Sequence, residues 1–177
     1  MKSTEYMQGF VQVYTGNGKG KTTAAIGLAI RAAGAGLKVF IGQFIKTGDY
    51  SEIKTLKRLS DIIVVEQFGL GYFIGRNPTQ EDVDAARRGV ERVQAIFNSN
   101  EYNVVILEEA SVAVRYGLIS EEDLLGLIEQ RPDNKELVIT GRWATQLVIQ
   151  KADLVTEMKD IKHYYRKGVE ARVGIEK

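Results

Sequence analysis

The chain has no cysteine and only one histidine, His163. Without thiols there is no disulfide, no thiolate-held metal and no cysteine-ligated iron–sulfur cluster. A lone imidazole cannot build a multi-histidine metal site. Any redox chemistry must therefore arrive with a substrate or a partner. Long apolar runs are also missing. None approaches the roughly 20 residues that span a bilayer, and the segment Met1–Tyr6 has no apolar signal core. The chain reads as soluble and cytoplasmic. Net charge is nearly absent too, with 24 Lys and Arg against 23 Asp and Glu. A broad electrostatic footprint for nucleic acid is not expected. There is no repeat and no low-complexity stretch. The 177 residues suffice for one domain with its own core, spanning 1–177.

What is present is a glycine loop between an apolar run and a helical run. Phe10–Tyr14 precedes Thr15-Gly16-Asn17-Gly18-Lys19-Gly20-Lys21-Thr22-Thr23, and Ala24–Ile30 follows it. Strand, glycine loop and helix are the three parts of a phosphate-binding P-loop. The glycines let backbone N–H groups approach phosphate oxygens, and the helix start adds partial positive charge. Lys21 is the expected contact to the β- and γ-phosphates, and the Thr22 hydroxyl the expected ligand to Mg²⁺. The first glycine of the usual pattern would fall on Thr15 and comes one place later, at Gly16. Lys19 makes this variant loop more basic. The expected nucleotide-binding set is Thr15 through Thr23.

Apolar runs and helical patterns alternate along the chain, which predicts an open, mostly parallel α/β sheet with helices on both faces, a P-loop fold of the RecA-like type. Expected strands are Phe10–Tyr14, Val39–Phe44, Ile62–Gln67, Val104–Leu107, Leu137–Thr140 and Leu154–Thr156. A helix is expected from about Gln80 to Phe97. Val83, Ala86, Val90, Val93 and Phe97 form one apolar stripe there, and Thr79 with Asp82 gives a start signal. Ser120-Glu121-Glu122-Asp123 starts another helix, which stops before Pro132.

Several polar residues follow expected strands. Glu108-Glu109 close the run Val104–Leu107 and form the expected acid pair for Mg²⁺, with Glu109 favoured. Arg142, in Thr140-Gly141-Arg142, is a candidate phosphate contact. Lys46 either faces the substrate crevice or is a solvated strand-end lysine. The segment Phe68–Asn77 combines glycines with aromatics after a strand, which suggests a binding loop. His163 has no serine or cysteine elbow to serve, so a structural role is expected.

The ordered motifs resemble one family. Val13–Ala25, Arg31–Gly34, Val39–Lys46, Ile106–Glu109, Thr140–Arg142, Ala152–Met158, Lys162-His163 and Gly168–Glu176 are similar to the P-loop type of ATP:corrinoid adenosyltransferase, and the resemblance covers nearly the whole chain. It implies transfer of the 5′-deoxyadenosyl group of ATP to the Co(I) of a reduced corrinoid, with release of triphosphate. It implies Lys21 and Glu109 as catalytic residues. It also implies Thr22, Glu108 and Glu109 at Mg²⁺, and Tyr72 and Phe73 against the corrinoid. A homodimer and an electron-donor protein such as a flavodoxin are implied as well. The family has Asp where Glu108 stands, an Asn-Ala-Pro type of turn where Trp143-Ala144-Thr145 stands, and a tryptophan near Ile74. About nine residues precede the first expected strand. A longer N-terminal cover over the corrinoid is therefore expected to be missing or supplied otherwise.

Two other classes compete. A P-loop ATPase or kinase would use the same loop and acids to cleave the γ-phosphate. A GTPase would need an Asn-Lys-x-Asp run. Asn134-Lys135-Glu136-Leu137 begins like one but carries leucine in place of the aspartate and precedes its strand.

Overall fold

The computed structural model describes residues 8–71 and 77–177. Six strands form one sheet: β1 (Val11–Thr15), β2 (Val39–Gln43), β3 (Ile63–Gln67), β4 (Val104–Glu108), β5 (Glu136–Thr140) and β6 (Leu154–Glu157). Their order is β3-β2-β4-β5-β1-β6, and every neighbouring pair is parallel. Thus the glycine-loop strand β1 and the acid strand β4 are separated by β5, as in RecA-like folds. The expected strands are all found, within one residue at each end. Glu108 belongs to β4 because it pairs in register with Gln43 of β2.

Among the described residues six helices connect the strands: α1 (Lys21–Gly34), α2 (Ser51–Leu56), α3 (Gln80–Phe97), α4 (Ala110–Arg115), α5 (Glu121–Gln130) and α6 (Gln146–Lys151). Alternation within each strand sorts its side chains into two cores. Val39, Ile41, Val104, Ile106 and Val138 face Ala25, Ala29 and Ala32 of α1 and Leu56 of α2. Phe40, Val105, Leu107, Leu137 and Ile139 face the other four helices. A period of two with both faces covered is what a central parallel strand requires. Each fully buried side chain of this kind contributes roughly 1.5–3 kcal/mol.

The helix starts agree with their sequence signals. Thr79 accepts from the Asp82 N–H while the Asp82 carboxylate accepts from the Thr79 N–H, and Ser120 and Asp123 repeat this box at α5. An interior glycine of α3 has a tertiary reason. A Cβ on Gly89 would lie 2.8 Å from the Phe68 ring. Phe68 also packs on Phe44, with ring centroids 5.8 Å apart. The edge strand β6 differs from the rest, being exposed along its whole length. Among the described residues no helix is long and apolar enough to cross a membrane.

Because all strands run the same way, their carboxyl ends share one edge. The six terminal residues there are Thr15, Gln43, Gln67, Glu108, Thr140 and Glu157, all of them polar. This edge carries the site.

Candidate active site at the carboxyl edge of the sheet

The glycine loop bridges β1 and α1. Gly16 and Gly20 have φ of +96° and +120°, a region that side chains with a Cβ rarely adopt. Packing adds a second reason for glycine. A Cβ on Gly16 would lie 2.4 Å from the Met158 carbonyl oxygen, and one on Gly18 2.7 Å from the same atom. The Gly18 N–H donates to that oxygen at 2.7 Å, and the Met158 N–H donates to Thr15 O at 2.8 Å. The loop is therefore braced against the chain leaving β6. The first bond of the helix runs from the Ala24 N–H to Gly20 O at 2.7 Å. The amides before it are the unpaired first-turn donors that favour an anion.

Lys21, at the first position of α1, is buried. Its Nζ donates to Gly16 O at 2.7 Å and Gly18 O at 2.8 Å. Burial lowers its pKa, and the Arg142 charge acts in the same direction, while Glu109 opposes both. One residue on, the Thr22 hydroxyl donates to Glu108 Oε1 at 2.6 Å. The Glu108 carboxylate is 2% exposed. It also accepts from Lys46 Nζ at 2.7 Å and, on Oε2, from Gln43 Nε2 at 2.7 Å. Gln67 Nε2 donates to Gln43 Oε1 at 2.8 Å. Lys46 in turn lies 3.6 Å from Glu52. A buried carboxylate is tolerable only when paired and hydrogen-bonded in this way.

Glu109 occupies a strained corner. It is one of two described non-glycine residues with positive φ, at 58°, and its N–H donates to the Thr140 hydroxyl at 3.1 Å. Burial raises its pKa and the neighbouring Glu108 charge adds to that, while Lys46, Lys21 and Arg142 pull it back down. The second positive φ is Trp143, at 61°. Glu109 follows β4 directly and Trp143 lies three residues beyond the adjacent β5, at the same edge, and such strain concentrates at functional sites.

The structure brings Lys21, Thr22, Glu108, Glu109 and Arg142 to one crevice. Arg142 is exposed, and its charge is felt by both Lys21 and Glu109. Thr15 serves another purpose. It is buried, and its hydroxyl accepts from the Ala144 N–H at 3.3 Å, which holds the turn after β5. Asn17, Lys19 and Thr23 are exposed along the loop and first turn. Between the two acids the closer link to Thr22 belongs to Glu108, not to the favoured Glu109. Lys46, left open from sequence, is a buried member of the crevice, and Gln43 and Gln67 are further members that no spacing signals. The base of the aromatic loop is fixed, since a Cβ on Gly69 would lie 2.1 Å from Ile45 O. Tyr72 and Phe73 themselves lie outside the described residues.

A glycine loop at a helix start, a buried lysine, and a strand-end acid joined to the helix hydroxyl across an intervening strand define a P-loop nucleotide-binding protein. The fold is similar to that of the flagellar accessory protein FlaH from Methanocaldococcus jannaschii, with a TM-score of 0.60, 12% identity, and coverage of 85% of this chain and 71% of that one. The family model for ATP:corrinoid adenosyltransferase BtuR/CobO/CobP matches residues 7–176, and the chain belongs to that family. The corrinoid adenosyltransferase of Pseudomonas aeruginosa is 32% identical over 170 residues, covering 96% of this chain and 84% of that protein. The Sinorhizobium corrinoid adenosyltransferase is 33% identical over 174 residues, covering 96% and 80%. That of Escherichia coli K12 is 32% identical over 170 residues, covering 96% and 86%.

Proposed function

We propose that this chain transfers the 5′-deoxyadenosyl group of ATP to the Co(I) of a reduced corrinoid and releases inorganic triphosphate. The observation that carries the reading is the Lys21–Thr22–Glu108 cluster at the crevice of a chain that belongs to the corrinoid adenosyltransferases. Cobalt supplies the electron pair that forms the cobalt–carbon bond. The C5′–O5′ bond breaks, and its pair leaves on the triphosphate. Co(I) is itself a strong nucleophile, so the protein needs no nucleophilic side chain.

The chain's own residues have two tasks. They hold the ribose C5′ in line with cobalt. They also stabilise the charge that builds on the leaving phosphates, through the first-turn amides of α1 and Lys21, with Arg142 at the rim. The donor set of the Thr22 hydroxyl with Glu108 and Glu109 is all oxygen, which suits Mg²⁺. Those three residues would hold the ion, and it would neutralise phosphate charge when bound. Tyr72 and Phe73 give the corrin an apolar wall. The chain works as a single-domain subunit of a homodimer in the cytoplasm. An electron-donor protein such as a flavodoxin delivers the electrons for Co(I). These features extend the family resemblance to this chain.

The reading is tested by its products. Protein, Mg-ATP, corrinoid and a reductant are combined, and phosphorus NMR is recorded beside the corrinoid absorption spectrum. Triphosphate should appear in the same amount as the new cobalt–carbon bond. Stoichiometric ADP with no adenosylated corrinoid would instead mean γ-phosphate cleavage, and the transferase reading would fall.

A further inference from the structure

Gln67, Gln43 and Glu108 are aligned residues of β3, β2 and β4, one row across three parallel strands. Being in register, their side chains leave the same face of the sheet, the one that meets Thr22 of α1. Hydrogen bonds join the row, and their direction is fixed at one end. Gly48 follows β2 with φ of +100°, a conformation that suits glycine, and presents both its N–H and its carbonyl to the Gln67 side chain. The Gly48 N–H donates to Gln67 Oε1 at 3.1 Å, and Gln67 Nε2 donates to Gly48 O at 3.1 Å. A backbone N–H cannot accept and a carbonyl cannot donate, so this pair admits only one orientation of the Gln67 amide. The second hydrogen of Gln67 Nε2 goes to Gln43 Oε1, at 2.8 Å. Gln43, only 2% exposed, therefore turns its Nε2 to Glu108 Oε2, at 2.7 Å. Turning either amide over would set oxygen against oxygen. One oxygen of Glu108 is thus held by this row, while the other meets Thr22 and Lys46.

We propose that Gln67 is a positioning residue for Glu108. Acting through Gln43, it fixes which way the Glu108 carboxylate faces, and with it the affinity of the crevice for Mg²⁺. The inference rests on the reading that places the ion at Thr22, Glu108 and Glu109. Groups that orient a ligating carboxylate govern metal affinity almost as strongly as the ligand itself. The same row fastens the base of the aromatic loop, because the Phe68 N–H donates to Gln43 O at 2.8 Å. The orientation of the acid is therefore set from the exits of β2 and β3, on the opposite side of β4 from the glycine loop.

The test uses the full chain without corrinoid and reads ATP binding by calorimetry, once with Mg²⁺ and once with EDTA. The readout is the ratio of the two affinities, which involves no turnover. Gln67→Glu keeps the size of the side chain and the bond from the Gly48 N–H but offers no hydrogen to Gln43. Gln43 then turns its Nε2 to the new carboxylate and its oxygen to Glu108, and the ratio should fall about tenfold. Charge alone predicts the opposite, since an added carboxylate on this edge attracts a divalent cation. Gln67→Met lets Gln43 keep its bond to Glu108, so the ratio should fall by no more than about threefold. Adding Gln67→Glu to Gln43→Met should cause no further fall, because the intermediary is gone. Three results overturn the proposal: an unchanged or raised ratio in Gln67→Glu, a larger fall in Gln67→Met than in Gln67→Glu, or a further fall in the double variant. Glu108→Gln tests the reading beneath it. A ratio that does not move there removes Mg²⁺ from Glu108 and the proposal with it, whereas one that moves there but not in Gln67→Glu overturns the proposal alone.

Discussion

Two lysines of this chain are buried in the same manner at opposite edges of the sheet. Lys21 donates to the carbonyls of Gly16 and Gly18 at 2.7 and 2.8 Å. Lys135, just before β5, donates to the carbonyls of Ser99 and Tyr102, each at 2.7 Å. Burial lowers the pKa of both. The difference is their company. Around Lys21 stand the charges of Glu109 and Arg142, whereas burial alone shifts the pKa of Lys135. A buried, perturbed lysine is therefore not a site by itself. Lys135 ties the loop before β4 to the start of β5, and Lys21 sits at a helix start on the edge where ligands bind parallel α/β sheets. Lys135 belongs to the run that begins like a guanine motif, and the fold gives that lysine a purely structural task.

The comparison is broken most directly at Lys21. Lys21→Ala should lower turnover about a hundredfold or more, because one preorganised charge at the leaving group is lost. Circular dichroism should change little, while the melting temperature should fall, because the carbonyls of Gly16 and Gly18 lose their donor. Turnover within about threefold of wild type would remove Lys21 from the machinery.

The two acids sharpen it next. Glu109→Gln should weaken Mg²⁺ dependence about tenfold to a hundredfold and lower the rate with little effect on stability. Glu108→Gln should do the same to Mg²⁺ and also destabilise the fold by roughly 1–3 kcal/mol, since Lys46 loses its closest partner. The cost stays moderate because Glu52 is 3.6 Å from the same ammonium. Kinetics at varied Mg²⁺ beside urea melts separate the two effects. Unchanged Mg²⁺ dependence in both variants would leave the acids as structural residues.

Lys135→Met is the mirror experiment. Two buried carbonyls lose their donor, so the chain should be destabilised by about 1–3 kcal/mol, while turnover per folded molecule is unchanged. A rate loss comparable with that of Lys21→Ala would erase the distinction between the edges.

The smallest effect is at the C-terminus. Arg172 pairs with Glu176 and stacks over Tyr164, 5.0 Å from the ring centroid, and the Tyr164 hydroxyl donates to Glu176. The Arg172 and Tyr164 hydrogen bonds pull the Glu176 pKa down from 4.5 to about 2. A depressed carboxylate pKa contributes stability above its unfolded value and loses it as the group protonates. The clasp should therefore hold above about pH 4.5 and loosen as pH falls towards 2. Amide exchange of residues 164–176 reports it, and protection that does not change over that range would contradict it.

Most of the fold was legible because it rests on local regularities. Alternation in Val104–Leu107, the apolar stripe from Val83 to Phe97, and the boxes at Thr79 and Ser120 each act within a few residues. The site was legible only in part. The loop and Thr22 were visible as a strand, glycine loop and helix start, and Arg142 and both acids as polar residues at the ends of expected strands. Which acid meets the Thr22 hydroxyl was not, because it depends on which carboxylate points at α1. Gln43 and Gln67 carried no spacing signal, since two separate strands, β2 and β3, bring them to Glu108 of β4, and Lys46 reaches it from the chain that leaves β2. Gly16 and Gly18 had a visible reason in phosphate binding and a hidden one in Met158, more than 130 residues away.

By itself the sequence determined the class of the protein. A strand, a glycine loop and a helix start with Lys21-Thr22 form a local unit whose backbone amides bind phosphate wherever the unit is placed. Cysteine-free, histidine-poor composition excluded disulfides, thiolate-held metals and a multi-histidine metal site. Only the tertiary structure decided which partners those residues meet. The parallel register β2–β4 sets Gln43 beside Glu108, β5 separates the loop from the acid strand, and the chain after β6 closes over the loop. Those are contacts between residues far apart in sequence, fixed by strand order and the burial of both sheet faces, and no local pattern encodes them.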